Sequence, residues 1–172
     1  PARDDLVVEV GDDGAVGRRW SSTEVEAAVA LLAGGLREHG ISVGDAVAWR
    51  SGNRIGSLLA YRACWRLGAV AAPIHHRAGE PEAASIVDRV APRLVLDLGD
   101  LPAGEPVGPD QSAATPEGLA VVLFTSGSSG RPKGVLHTHR ALAHKARLMA
   151  TVHGLGPGDA VLMPAPLAHV SG

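Results

Sequence analysis

The sequence predicts an α/β fold, a layered α/β/α sandwich on a mainly parallel sheet. Short aliphatic runs alternate with stretches of helical period, and most connections between them are short, the pattern of strand–helix–strand units. At 172 residues, 45% of them apolar, the chain has enough material for one real core. No internal repeat or heptad array competes with that architecture.

The elements follow in order. Residues 6–10 (Leu-Val-Val-Glu-Val), a Gly-Asp-Asp-Gly turn and residues 15–20 read as a β-hairpin. Ser21-Ser-Thr-Glu24 is a capping-box start, and the helix behind it repeats Val25, Val29, Leu32 and Leu36 on one face before ending at Gly40. A strand is expected at 46–50. Asn53 is placed to cap a second helix running to Leu67, and a short apolar strand follows at 69–74. Pro81 suits the first position of a third helix, 81–90, with a strand at 94–96 behind it. From 98 to 118 proline and glycine recur with no hydrophobic period, which marks a surface linker between a first α/β part (1–97) and a second part (119–172). Residues 119–124 read as a buried strand and 135–136 as a short one. Thr138 then caps a helix with Leu142, Ala146, Met149 and Val152 on one face, and 160–163 is expected to be a last strand.

The chemistry concentrates in Thr125-Ser126-Gly127-Ser128-Ser129-Gly130-Arg131-Pro132-Lys133-Gly134-Val135. Glycines let backbone N–H groups turn into a concavity that binds anions, the hydroxyls add donors, and Lys133 adds a mobile positive charge. These are the parts of a polyphosphate cradle; the bland reading is a solvated surface loop. A Walker loop runs straight from Gly-Lys into a helix, whereas Lys133 here sits between Pro132 and Gly134, and no G-x-G-x-x-G fingerprint is present.

That segment resembles the signature of the adenylate-forming (AMP-binding) superfamily, which includes acyl-CoA synthetases, non-ribosomal peptide adenylation domains and beetle luciferases. Gly40-Ile-Ser-Val-Gly-Asp45, Asn53 and Leu67-Gly-Ala-Val70 with Pro73 also resemble the amino-terminal part of acyl-CoA synthetases, so the resemblance spans nearly the whole chain. It implies an incomplete amino-terminal AMP-binding domain over 1–172, a fragment of a fatty-acid–CoA ligase type of enzyme with the carboxy-terminal domain absent. It also implies the reaction: a carboxylic acid attacks ATP to give an acyl-adenylate, which is passed to coenzyme A. ATP, Mg²⁺ and coenzyme A are the co-substrates so implied. Backbone amides between Ser126 and Gly130, with the Ser128 and Ser129 hydroxyls, would hold the leaving pyrophosphate. Lys133 would add charge and Thr125 would lie near Mg²⁺, while Pro132 fixes the exit of the loop. The resemblance of Pro166-Leu-Ala-His169-Val-Ser-Gly172 places His169 beside the acid pocket; a packed histidine at a helix start is the alternative. The aliphatic neighbours Leu167, Ala168 and Val170 lean toward aliphatic or alicyclic acids.

Nothing in the chain resembles the family's Tyr-Gly-x-Thr-Glu segment, its ribose-binding aspartate, its hinge or its carboxy-terminal lysine, so the chain alone is expected to lack turnover. An adenylation domain loading a carrier protein, or a non-catalytic anion-binding module, are the competing readings.

Composition excludes other classes. A formal net charge of −2 provides no basic field for nucleic acid or anionic lipid, and the sparse aromatics form no stacking platform for bases. No apolar run approaches the ~18 residues of a membrane span. Cys64 stands alone, which excludes a disulfide framework and fits a reducing, cytoplasmic setting. His137, His139 and His144 read as structural, since no fourth partner for a zinc site is evident. His75-His76 reads as a loop pair.

Overall fold

The structure, a computed structural model, describes residues 5–11, 13–125 and 132–169. Strands β1 (Asp5–Val10) and β2 (Val16–Ser21) pair antiparallel as the opening hairpin. Ser21 then caps α1 (Ser22–Glu38). Its hydroxyl accepts from the Glu24 N–H while the Glu24 carboxylate accepts from the Ser21 N–H, so two of the helix's otherwise unpaired donors are satisfied together. The chain continues through β3 (Ala46–Ser51), α2 (Ile55–Arg66), β4 (Val70–His75), α3 (Glu80–Val90), β5 (Leu94–Val95), β6 (Leu119–Thr125), β7 (Lys133–Thr138) and α4 (His139–His153).

Strands β5-β3-β4-β6-β7 form one sheet in that order, the first four parallel and β7 antiparallel to β6. Side-chain alternation along the strands explains why the sheet is covered twice. Val47, Trp49, Ala71, Val121 and Leu123 join Val25, Val29, Leu32 and Leu36 of α1 and Leu59, Ala60, Ala63 and Cys64 of α2 in the main core. Their neighbours Ala48, Val70, Ala72 and Val122 point to the opposite face. There Ile74 packs with Ala83 and Ile86 of α3. The result is the expected three-layer sandwich. Trp49 is 1% exposed and meets Tyr61 edge-on at 5.0 Å between ring centroids. Beside them Cys64 is fully enclosed, and burial pushes its thiol up to about 12.

The 98–118 segment is mostly exposed. It crosses α1 as a strap: Gly104 and Val107 donate their N–H groups to Leu31 O and Ala30 O, and Val107 is 2% exposed. The crossing is possible because α1 carries Gly34 and Gly35 at the contact. A Cβ on Gly34 would lie 2.1 Å from Glu105 O, and one on Gly35 would lie 2.6 Å from Pro102 O. Proline and glycine remove secondary-structure period from the strap without removing its apolar anchor.

Asn53 does not cap α2. The N-cap is Arg54, which makes no side-chain cap bond, and the Asn53 amide is committed elsewhere. Residues 160–163 form no strand, and Val161 and Leu162 are exposed. Thr138 caps α4 as expected, accepting from the Ala141 N–H, and Gly154 ends it in the left-handed conformation. The apolar face of α4 is not core, however: Leu142 is half-buried while Met149 and Val152 are exposed.

Candidate functional site

A parallel sheet presents a crevice at the carboxyl ends of its strands, where chain crossings leave loops free to line a ligand. Here that edge is formed by Ser51 of β3, His75 of β4 and Thr125 of β6. The buried run Ala120–Val121–Val122–Leu123 anchors β6, so Thr125 is delivered to the edge by a strand that cannot slip without exposing the core.

Thr125 and Lys133 pair across β6 and β7, and both are exposed. Pro132 is buried beside them. The next cross-strand pair is Phe124 with Gly134, where a Cβ on Gly134 would meet the Phe124 ring at 3.3 Å. Glycine there lets the Phe124 ring lie over β7 and hold the two strand ends together. Both ends of the serine- and glycine-rich segment are therefore fixed by the ladder. The candidate phosphate contacts Ser126, Gly127, Ser128, Ser129 and Gly130 lie outside the described residues.

His169 reaches the same edge by a different route. The Asn53 side chain donates to Met163 O at 3.0 Å and Ala165 O at 2.8 Å, and accepts from the Leu167 N–H at 2.9 Å. The Tyr61 hydroxyl donates to Leu167 O at 2.6 Å. One amide before α2 and one phenol in its middle thus dock the 163–167 backbone, and burial pushes the Tyr61 phenol well up. His169 follows, exposed, near enough to His75 for its charge to bear on that imidazole.

Sequence reasoning passed over His75 and His76 as a site feature. Their rings stack at 4.5 Å between centroids, His75 as the last residue of β4 and His76 just beyond it. The Arg77 N–H donates to His75 Nδ1 at 3.0 Å, which leaves the proton of the neutral ring on Nε2. Desolvation, then the charges of His76 and Arg77, holds His75 below its ordinary value. Arg50 at the end of β3 pairs with Glu80 and donates to Ala78 O, which ties the β4–α3 turn to the sheet. The available signal was position: two imidazoles at the end of a buried strand stand at a carboxyl edge. Among the described residues no set of three His, Cys, Asp or Glu converges to hold a metal. No helix among them is long and apolar enough to cross a membrane.

What the edge offers chemically is the stacked His75–His76 pair with His169 near it, and the Thr125 hydroxyl paired across the ladder with Lys133. The sequence profile described as AMP-binding enzyme matches residues 4–106 and 100–172. Feruloyl-CoA synthase of an Amycolatopsis species is 33% identical over 90% of this chain and 35% of its own length. The 2-succinylbenzoate–CoA ligase of Salmonella typhimurium is 32% identical over 83% of this chain and 33% of its own. The chain thus spans about a third of the length of these curated relatives. Among solved structures, an O-succinylbenzoate coenzyme A synthetase of Bacillus subtilis in complex with ATP and magnesium superposes with a TM-score of 0.77. That match covers 90% of this chain and 46% of the other, and at 22% identity it speaks for the fold.

Proposed function

The chain belongs to the AMP-binding enzyme family, and from that premise we propose that it carries the phosphate-loop part of an AMP-forming carboxylic acid–CoA ligase. The observation that supports this most is the convergence at one sheet edge of the Thr125–Lys133 pair and, through Asn53 and Tyr61, of His169. A carboxylate attacking the α-phosphorus of ATP needs the departing pyrophosphate neutralised and attack and departure held in line. The residues suit that division. The amides and hydroxyls between Ser126 and Gly130 receive the pyrophosphate oxygens, and Lys133 supplies a positive charge from the adjacent strand. His169 lies beside the acid, where it donates a hydrogen bond or shapes the wall.

Magnesium fits this donor set as an ion held chiefly by phosphate oxygens and water, with the Thr125 hydroxyl as its protein neighbour. Bound there, it would offset charge on the triphosphate. Coenzyme A is the proposed acyl acceptor, since the relatives named above are CoA enzymes. ATP and coenzyme A as co-substrates fit a cytoplasmic location. The 98–118 strap is the proposed join between the first α/β part and the phosphate-loop part.

The acid is the open variable. Aliphatic neighbours of His169 favour an aliphatic acid, while the relatives' names specify feruloyl and succinylbenzoate groups. The test is acid-dependent pyrophosphate release by the complete enzyme carrying this chain, across aromatic and aliphatic acids, with and without coenzyme A. Release that requires acid, with acyl-CoA formed in step, supports the reading. No acid-dependent release with any member of the panel would overturn it.

A further inference from the structure

At the opposite end of β6 from Thr125 lies a second feature with its own chemistry. An open depression of about 240 Å³ lies between the carboxyl-terminal end of α2, the 109–114 segment and the first residue of α4, lined by Arg62, Trp65, Arg66, Ser112 and His139. Leu119 pairs with Thr138 at this end of the sheet and Thr125 with Lys133 at the other. The rise of the strand separates the two places by about 20 Å.

The polar lining of this depression is biased toward donors. Arg66 is 7% exposed at its side chain; it donates to Val107 O at 3.0 Å and pairs with Glu26 at 2.6 Å. Arg62, one turn earlier on α2, shares the same Glu26 carboxylate at 3.1 Å. Two guanidiniums thus divide one carboxylate, which leaves a surplus positive charge on the wall, and Arg62 remains a third exposed to present it. The Ser112 hydroxyl accepts from the Ala114 N–H, so its own proton is available. His139 sits edge-on to Trp65, 5.9 Å between centroids, and burial lowers its affinity for a second proton. Its Nε2 is buried with no hydrogen-bond partner among the described residues. Leaving a buried polar atom unpaired is unfavourable, so such an atom marks a place where a partner belongs. The Trp65 indole N–H is already given to Ala120 O at 2.8 Å, so the ring contributes an apolar wall.

We propose that this depression is a binding site for a small anion, a phosphate or a carboxylate, held by Arg62 and Ser112 beside Trp65 and by His139 in its Nε2–H tautomer once the ring turns to meet the ligand. None of these residues lies at the carboxyl edge of the sheet, so the site is separate from the proposed ligase chemistry.

The experiment follows the ring signals of the histidine-labelled chain by NMR during titration with inorganic phosphate and, separately, benzoate. Sodium chloride at matched ionic strength is the control. The expected result is a saturable shift of the His139 resonance with at least one of the two anions and none with chloride. The more effective anion identifies whether phosphate or carboxylate is the natural chemistry. Arg62→Gln, its fold checked by circular dichroism, should weaken binding about tenfold, the loss of one charge-assisted hydrogen bond. His139→Phe keeps a ring beside Trp65 and removes the donor; followed by calorimetry, it should weaken binding comparably. A His139 signal unmoved by both anions, or titration curves unchanged in both variants, would overturn the proposal.

Discussion

Thr125 closes β6 directly opposite Lys133, the first residue of β7, so the lysine is carried on a strand and not on a helix. Its charge is therefore delivered without a helix dipole behind it, and the ammonium itself is the group to remove. In the complete enzyme, Lys133→Ala should slow adenylation by about 3 kcal/mol, on the scale of one lost oxyanion donor, and leave thiolation nearly unchanged. Pyrophosphate release and, separately, acyl-CoA formation from synthetic acyl-adenylate measure the two halves. Equal loss in both would remove Lys133 from the adenylation step.

His169 should govern which acid is used more than how ATP binds. Discrimination by pocket shape amounts to about 1–3 kcal/mol per methylene, so His169→Ala should reorder kcat/KM across an acid series while KM for ATP stays near its original value. Asn53→Ala should act at a distance in the same direction, because it frees the backbone at Met163, Ala165 and Leu167. Faster hydrogen exchange at the Leu167 amide in Asn53→Ala is the direct check, readable without any substrate.

Gly34→Ala sets two principles against each other. In an exposed helix interior the change would stabilise by about 1 kcal/mol through propensity. Here the new methyl would lie 2.1 Å from a backbone oxygen of the strap, and backbone cannot rotate away as a side chain can. The contact outweighs propensity, and the unfolding free energy in urea should fall by about 1–3 kcal/mol, the usual cost of overpacking. An increase would mean that the strap lifts off α1 at little cost.

Stability should decline on acidification. Glu26 is held below its usual value of 4.5, chiefly by its hydrogen bond to Arg66, with desolvation opposing and the charges of Arg66 and Arg62 assisting. A carboxylate depressed in the folded state contributes fully above its unfolded value and loses that contribution as pH falls through the lower, folded one. The window therefore begins near about pH 5 and extends downward. Ser21 and Ser42 likewise depress Glu24 and Asp45 by hydrogen bonding, so Glu26→Gln should flatten this slope without abolishing it. Urea midpoints measured from neutral pH down to about pH 3 test the sign.

The parts legible in the sequence were those governed by local rules. Ser21 and Glu24 announced the start of α1 because a capping box is a four-residue device. The apolar run at β6 announced a buried strand because both its faces are covered. Asn53 was misread since its partners lie more than a hundred residues away, and an asparagine before a helix has the same local appearance whether or not it caps. The anchor of the strap was illegible for a related reason: Val107 is a single apolar residue without period, and only Gly34 and Gly35, on a different element, make room for what it anchors. At the site, the sequence named both ends of the loop, while the stacking of His75 on His76 depended on where β4 ends.

The enclosure of Cys64 gives the chain an internal reporter. It is the sole sulfhydryl in the sequence, it is fully buried between α2 and the sheet, and near neutral pH it is overwhelmingly protonated. A thiol in that state reacts only after the helix has lifted from the strands and solvent has reached the sulfur. The rate at which an alkylating reagent consumes it therefore counts openings of the main core one molecule at a time. A nucleotide or acid that tightened the sheet would announce itself as a slower clock, with no assay of turnover required.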